Sequence, residues 1–264
     1  MLQKSEALKD IKLFVLDMDG TTILGDMPLE GAFDFVREVT TAPDRDFIFF
    51  SNNASKVPSA FAKKLSMLGL DIPEEKIVTS GDVCAEYLKE YYPGAGIYLN
   101  GTPILMENWL EKGLRLVEDS PDVCVQSYDT TLTYRKLEQI CTFVRSGVPF
   151  LATHMDINCP TETGFIPDCG AICALITAST GVKPWYFGKP WKETVEMISV
   201  ITGYAPGDMA FVGDRLYTDV ACGVKNGAKG FLVLTGESTM KTVEESDIAP
   251  TCIFDSLGEM RNYL

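Results

Sequence analysis

The chain has 264 residues, of which 46% are apolar, and this length suffices for one large core or for one core with an inserted second unit. Its 23 Lys and Arg residues against 37 Asp and Glu residues give a formal net charge of −14. A surface this acidic repels nucleic-acid phosphates and anionic lipid headgroups, so nucleic acid polymers and membranes are poor partners.

The first apolar run, IKLFVL, is interrupted by Asp17 and Asp19 before it reaches the length of a signal peptide or a membrane span. Without a secretory signal, the eight cysteines are best interpreted as small buried apolar groups. Zinc needs clustered Cys and His ligands, which one histidine and the close pair Cys169 and Cys173 do not provide. We therefore expect a cytoplasmic protein.

Short β-branched or aromatic runs alternate with segments of helical periodicity, which predicts an α/β fold with a parallel sheet covered by helices. Towards the N-terminus, strands are predicted over 11–16 and 46–50, and helices over 30–39 and 55–68. Both ends of the chain carry this kind of unit, since helices over 194–202 and 218–225 and strands over 209–212 and 231–234 follow later.

The middle of the chain has its own strands and helices, and we predict that residues 80–183 form a separate small α/β domain. Residues 1–79 and 184–264 then build the main domain together. The strands predicted in the middle segment cover 96–99, 123–127 and 150–153, and the helices cover 104–112, 134–146 and 170–179.

The strongest local signal is Asp17-Met18-Asp19-Gly20-Thr21, directly after an apolar strand. Buried carboxylates need a compensating charge, and the carboxyl ends of strands are where open α/β sheets hold ligands. A divalent cation supplies that charge, and Asp17 is then placed to attack an electrophile while Asp19 handles a proton. The alternative, a turn with solvated aspartates, stays open for an isolated D-x-D-G motif.

Two further segments place phosphate-binding groups beside the predicted strands. Ser51-Asn52-Asn53 follows the strand over 46–50, where a hydroxyl and amides can hold phosphate oxygens. Lys189 stands between a glycine and a proline before a helix, where a fixed ammonium can neutralise a phosphate and a carboxylate. Taken alone, each is equally consistent with an ordinary turn.

A second carboxylate site follows the strand over 209–212. Phe211-Val212-Gly213-Asp214 repeats the order of strand, glycine and carboxylate, and Asp219 lies on the next helix. Carboxylates at two strand ends are the hard oxygen ligands that Mg²⁺ prefers.

These four segments, in this order, resemble motifs I to IV of the haloacid dehalogenase superfamily. GKP, VGDRLYTD, LVLTG and ATHMD…GFIPDCGAIC further resemble its NagD-like, or p-nitrophenylphosphatase-like, branch over nearly the whole chain. The resemblance implies a three-layer Rossmann-like core with an inserted cap domain. It also implies a Mg²⁺-dependent phosphatase that acts on small phosphomonoesters, such as a sugar phosphate or a nucleoside monophosphate.

The resemblance also implies the role of each residue. Asp17 becomes an aspartyl phosphate, while Asp19 protonates the leaving alcohol and then activates water. Mg²⁺ is bound by the Asp17 carboxylate, the Asp19 carbonyl and Asp214, with Asp219 orienting metal-bound water. The residues that bind the transferring phosphoryl group are Ser51, Lys189 and, close by, Asn52.

Spacing places the cap, because 138 residues separate Ser51 from Lys189, far more than neighbouring sheet elements require. Within it the family commonly has Thr-Asn-x-Asp, where this chain has Thr153-His154-Met155-Asp156. His154 either favours a more anionic leaving group or replaces a structural amide as a donor. Asp156 is the better candidate for a substrate contact.

Two other functions fit the same motifs. A phosphomutase hands the phosphoryl group to a sugar, but mutases of the family typically have their cap between motifs I and II, where this chain is short. An inactive binding protein on the same fold is the second alternative, because a fold alone does not establish chemistry. Caps of this subtype often contribute to dimers, so a homodimer through the cap is a further expectation.

Overall fold

The computed structural model describes residues 3–161 and 163–264. The strands are β1 Leu13–Leu16, β2 Ile23–Leu24, β3 Met27–Pro28, β4 Asp46–Ser51, β5 Ile77–Thr79, β6 Gly96–Asn100, β7 Arg115–Leu116, β8 Val123–Gln126, β9 Phe150–Ala152, β10 Asn158–Thr161, β11 Gly164–Pro167, β12 Trp185–Tyr186, β13 Met209–Gly213, β14 Lys229–Val233 and β15 Cys252–Phe254.

The α-helices alternate with these strands. They are α1 Lys4–Leu8, α2 Ala32–Thr41, α3 Pro58–Met67, α4 Ser80–Tyr91, α5 Pro103–Glu111, α6 Tyr134–Arg145, α7 Cys169–Thr180, α8 Lys192–Thr202, α9 Ala221–Lys225, α10 Met240–Glu245 and α11 Leu257–Arg261. Single turns of 3₁₀-helix cover Glu74–Lys76 and Pro206–Asp208, and a π-helical turn covers Leu216–Val220. Within the described ranges, none of the helices has the length and apolar character needed to cross a membrane.

Packing divides the chain into two units. The first holds the chain up to Ser51, Phe61–Val78 and Lys189–Leu264, and the second holds Asn52–Ala60 and Thr79–Gly188. The predicted limits of 80–183 lie within the longer range of this unit, Thr79–Gly188, and do not include Asn52–Ala60. Nothing in the hydrophobic pattern separates that short segment from α3, whose first residues belong to it.

The first unit contains a sheet in the order β15-β14-β13-β1-β4-β5, in which the strands from β15 to β4 pair in parallel. All four residues of β1 are buried, as expected of a central strand covered on both faces. Phe14, Phe35 and Phe49 belong to the apolar core that supports it. The predicted α/β class is confirmed.

The second unit has its own parallel sheet in the order β12-β9-β8-β6-β7. Its core includes Ile140 and Val144 of α6 and Ile172 and Ile176 of α7, which pack with residues of the sheet. The antiparallel pair β10 and β11 forms a separate hairpin, on which Phe165 is exposed.

Some predicted elements differ from the structure in their limits. The strand predicted over 11–16 begins only at Leu13, and the helix predicted over 55–68 begins only at Pro58. The helix predicted over 218–225 is a π-helical turn over Leu216–Val220 followed by α9. The wider turn changes which side chains share a helix face, so a period of 3.6 residues does not describe it.

Candidate active site

Three neighbouring strands end at one edge of the first sheet. Asp17 directly follows β1, Ser51 is the last residue of β4, and Asp214 directly follows β13. The backbone N–H of Asp17 donates to the Val212 carbonyl at 2.8 Å, which extends the parallel pairing by one residue. Because β13, β1 and β4 are adjacent and parallel, their carboxyl ends bring these polar side chains to the same edge.

Lys189 lies among the carboxylates of this edge. Its Nζ is 2.5 Å from Asp17 Oδ1 and 2.5 Å from Asp219 Oδ1, and the residue is only 4% exposed. Burial opposes the charge of this ammonium, but Asp17 and Asp219 outweigh it and raise the pKa of Lys189. The side chain is therefore a fixed positive charge at neutral pH.

One ammonium does not balance the carboxylates around it. Oxygens of Asp17, Asp214 and Asp219 all lie within 4.8 Å of one another. Burial raises the pKa of Asp17 to about 8, even though Lys189 counteracts it, and neighbouring Asp219 and Asp214 add to the rise. Burial, followed by the charge of Asp219, also raises the pKa of Asp214. The cluster as it stands has excess negative charge, which a divalent cation would neutralise.

The oxygen atoms of this cluster fit a hard cation. Among residues 3–161 and 163–264, no donor reaches Asp214 Oδ1, although it is buried. The other oxygen, Oδ2, accepts the Glu237 N–H at 2.6 Å, and Asp219 Oδ2 accepts the Arg215 N–H at 3.1 Å. A buried carboxylate oxygen without a donor is costly unless a ligand completes it, and Mg²⁺ takes oxygen ligands of this kind.

Two glycines make room for the Asp214 carboxylate. Gly20 has φ +89°, and a Cβ at this position would lie 2.7 Å from Asp214 Oδ2. At Gly236 a Cβ would lie 2.1 Å from the same atom. Both distances are shorter than any real contact between carbon and oxygen. The backbone can therefore lie this close to the carboxylate only because both residues are glycines, which have no side chain.

Asp19 lies in the turn that follows β1, and it is exposed whereas Asp17 is partly buried. The turn is closed by the Gly20 N–H, which donates to the Ile23 carbonyl at 2.7 Å. Thr22 Oγ1 donates to the Asp17 carbonyl at 2.9 Å. The side chain of Asp19 is therefore accessible to water and to a bound molecule.

Asn52 begins the second unit although it directly follows Ser51. Its Nδ2 donates to Asp156 Oδ2 at 3.1 Å, so the structure joins two residues that are 104 positions apart. Both were predicted to act on the substrate. Asp156 is partly exposed, and its predicted substrate contact stays a prediction.

His154 is completely buried, which favours the second of its two predicted roles, the replacement of a structural amide. Nε2 lies 2.8 Å from Asp168 Oδ1, and Nδ1 lies 3.1 Å from Thr153 Oγ1 and 3.3 Å from Ser80 Oγ. A ring enclosed by protein on every side has no surface for a substrate. The structure therefore does not support a direct substrate contact by His154.

Ser80 and Asp168 are not among the functional candidates predicted from the sequence. Asp168 caps α7, accepting the Cys169 N–H at 2.6 Å, and an aspartate before a helical pattern is a recognisable capping signal. Ser80 begins α4 after Thr79, which forms a capping box with Asp82. These signals locate the helix starts but say nothing about the contacts with His154.

Two family models match parts of this chain. Residues 14–115 match the family model described as haloacid dehalogenase-like hydrolase, and residues 186–260 match a second model, described as HAD-hydrolase-like. An acid sugar phosphatase of Staphylococcus aureus is 34% identical over 255 residues, which cover 96% of this chain and 97% of that protein.

Solved structures give the same result. A 4-nitrophenylphosphatase from Thermotoga maritima superposes with a TM-score of 0.91 at 42% identity, covering 97% of this chain and 98% of that one. NagD from E. coli K-12 superposes with a TM-score of 0.88 at 26% identity, covering 94% and 98%. Both likenesses extend over both units of the chain.

Proposed function

Because the chain belongs to the haloacid dehalogenase-like hydrolases, as a phosphatase of the NagD-like branch, we propose that it hydrolyses small phosphomonoesters through an aspartyl phosphate on Asp17. The observation that carries this proposal is the pairing of Asp17 with Lys189 at the edge of the sheet. A carboxylate approaches an anionic phosphoryl group only where positive charge cancels their repulsion.

The proposed reaction uses each residue of the edge in turn. Asp17 Oδ attacks phosphorus, and the bond from phosphorus to the leaving oxygen breaks as Asp19 gives that oxygen a proton. Asp19 then takes a proton from water, whose oxygen attacks phosphorus and releases Asp17 with inorganic phosphate. Lys189 stays charged throughout and holds the phosphoryl oxygens, with Ser51 and Asn52 as further donors.

The residues proposed to hold Mg²⁺ are the Asp17 carboxylate, the Asp19 carbonyl and Asp214, with Asp219 beside them. When bound, the ion supplies positive charge that offsets the negative charge of the nucleophile and of the phosphoryl group. The buried Asp214 oxygen and the acidic cluster support this assignment.

We propose a sugar phosphate as the first substrate to test, with nucleoside monophosphates second. The acid sugar phosphatase that is 34% identical to this chain supports that order. We also propose a cytoplasmic location. None of the eight cysteines, all within the described ranges, is in a disulfide, which is typical of a reducing compartment.

The test is phosphate release from p-nitrophenyl phosphate with Mg²⁺, with EDTA, and with the Asp17→Asn variant. We expect EDTA to stop release and Asp17→Asn to reduce kcat by at least about 10³-fold, because an amide does not replace a carboxylate nucleophile. Asp26→Asn is the matched control, since Asp26 is exposed and pairs only with Lys64 at 3.4 Å among the described residues. It should retain full activity.

Three other results would contradict the proposed phosphatase mechanism. Release that survives Asp17→Asn would remove the proposed nucleophile. Transfer of phosphate to an added sugar, without inorganic phosphate, would favour a phosphomutase. If a broad panel of sugar phosphates, nucleoside monophosphates, glycerol phosphate and pyridoxal phosphate gave no release, the protein would be a binding protein on this fold.

A further inference from the structure

His154, the single histidine of the chain, connects three segments of the second unit. It contacts Ser80 at the start of α4, Thr153 after β9, and Asp168 at the start of α7. Ser80 in turn donates from Oγ to the Asn52 carbonyl at 2.5 Å. The ring is therefore one hydroxyl away from the backbone of a proposed phosphate-binding residue.

The hydrogen bonds determine where the protons lie. A serine hydroxyl has one proton, and Ser80 uses it for the Asn52 carbonyl, which can only accept. Ser80 Oγ is then an acceptor towards His154 Nδ1. Thr153 Oγ1, which is nearer to Nδ1 at 3.1 Å, gives its own proton to Ser127 Oγ at 3.3 Å and is an acceptor as well, so Nδ1 carries a proton. On the other side of the ring, Nε2 faces the Asp168 carboxylate at 2.8 Å and donates to it. With a proton on both nitrogens, the ring is an imidazolium.

The charges around the ring agree with this assignment. The titratable groups that face it are Asp168 and Cys169 of the α7 start, Asp156 of its own loop, and the ring of Tyr128 after β8. Burial alone would lower the pKa of His154, but Cys169, Asp168 and Asp156 together raise it to about 9. A buried ion pair of this kind needs bonds to both partners, and His154 and Asp168 have them.

We propose that His154 is a positioning residue, whose imidazolium keeps the Ser80 hydroxyl turned towards the Asn52 carbonyl and so fixes the segment that follows Ser51. The inference rests on the proposed function, in which Ser51 and Asn52 bind the phosphoryl group. Asn52 is held at two points, by Ser80 at its carbonyl and by Asp156 at its amide. The side chain of His154 never touches the substrate.

Loss of a proton from the His154 imidazolium should weaken phosphate binding. The remaining proton stays on Nε2, because Asp168 is an anion that only accepts. Nδ1 then becomes an acceptor for the two hydroxyls beside it, Thr153 and Ser80, and draws the proton of the Ser80 hydroxyl away from the Asn52 carbonyl. Asn52 thereby loses one of its two fixed contacts, and phosphate binding weakens as the pH rises. An asparagine at position 154 would donate at every pH and would show no such step.

The first test uses nuclear magnetic resonance on the intact wild-type protein, where a single histidine gives a single imidazole to assign. We expect both ring nitrogens to be protonated at pH 7 and the ring to titrate near pH 9. A ring that is neutral at pH 7 would overturn the proposal, whatever the enzyme's activity.

The second test measures kcat and KM for p-nitrophenyl phosphate from pH 6 to 10. In the wild type, KM should rise about three- to tenfold through pH 9, the size expected for one neutral hydrogen bond, with little change in kcat. His154→Asn should keep a low KM and lose the step, whereas Ser80→Ala should have a raised KM at every pH. Thermal unfolding of each variant reports whether it is folded.

Tyr98→Phe is the matched control for stability. It removes a buried hydroxyl that donates to Gln139 Oε1 at 3.2 Å, elsewhere in the second unit, and should leave both KM and its pH dependence unchanged. If wild type, His154→Asn and Ser80→Ala share one KM profile while Asp17→Asn is inactive, only the positioning role is overturned. If the wild type releases no phosphate from any substrate, the proposed function itself fails.

Discussion

At the scale of single residues, Lys189 is the counter-charge that allows carboxylates to gather at the edge of the first sheet. It lies 2.5 Å from both Asp17 and Asp219, and it is almost completely buried. A buried pair that loses one partner leaves an uncompensated charge, which costs about 3–5 kcal/mol in typical proteins. Lys189 therefore matters for the free energy of folding as well as for catalysis.

Lys189→Gln should lower kcat for p-nitrophenyl phosphate by about 10²–10³-fold, the usual effect of removing one group that stabilises transition-state charge. It should also lower the melting temperature, because Asp17 and Asp219 would face each other without an ammonium. Steady-state kinetics and thermal unfolding check the two effects. Lys192→Gln is the control, since that lysine is 64% exposed and its ion pair with Glu196 is on the surface. Equal activity of the two variants would contradict the role of Lys189.

The placement of Asp17, Ser51 and Asp214 was predictable because each follows an apolar run, and such runs become adjacent parallel strands. The burial of His154 was not predictable in the same way. Its partner Ser80 is 74 positions away, and the contact arises only because α4 and the loop after β9 pack within one unit. A lone histidine in a sequence shows neither its burial nor its protonation.

At the scale of elements, the turn after β1 needs a glycine where its backbone approaches the Asp214 carboxylate. Gly20 has a positive φ, and a Cβ there would meet Asp214. Gly25, in the next turn of the same segment, has φ +59°, and a Cβ there would meet no atom within 4 Å. The two glycines therefore share a backbone conformation that disfavours side chains, but only one of them touches the acidic cluster.

Gly20→Ala should raise the Mg²⁺ concentration for half-maximal activity by at least about tenfold, because its methyl group would displace the Asp214 carboxylate. Gly25→Ala should cost about 1–3 kcal/mol of backbone strain without changing the Mg²⁺ requirement. Activity titrated with Mg²⁺ separates the two effects. Similar titration curves for both variants would show that strain, and not the clash with Asp214, decides the outcome.

Regular elements of the first unit were easier to predict than the hairpin of the second. β4 and α8 agree with their sequence patterns to within two residues, because buried runs and amphipathic periods define them. β10 and β11 have mostly exposed residues on both faces, so no alternation of apolar and polar residues marks them. The π-helical turn was missed because its spacing differs from that of an α-helix.

At the scale of the whole molecule, the chain forms two units, each with its own apolar core. The acidic cluster belongs to the first unit. Asp17, Lys189, Asp214 and Asp219 all lie in the first unit, although 202 positions separate the first from the last. The chain leaves this unit after Ser51, returns to it for Phe61–Val78, and enters it for the last time at Lys189. A ligand of the cluster therefore stabilises contacts between distant parts of the chain.

Mg²⁺ should raise the melting temperature of the wild-type protein, because an ion bound only by the folded state adds about 2.7 kcal/mol at 100 times its dissociation constant. Differential scanning calorimetry in Mg²⁺ and in EDTA measures the shift. Asp214→Asn should abolish most of it, while Asp208→Asn, which removes a surface ion pair with Lys12 in the same unit, should preserve it. A shift that persists in Asp214→Asn would place the ion elsewhere.

The two glycines beside Asp214 have a consequence for how such a site can change over many generations. An aspartate that mutates to asparagine loses its charge but keeps its shape, so one reverse mutation restores it. A side chain at Gly236 would instead push against a carboxylate oxygen 2.1 Å away, and neighbouring residues would have to shift to accept it. Compensating substitutions would then accumulate around the new shape. In descendants of this chain, the loss of the Asp214 carboxylate would therefore be reversed by mutation more easily than the gain of a side chain at Gly236.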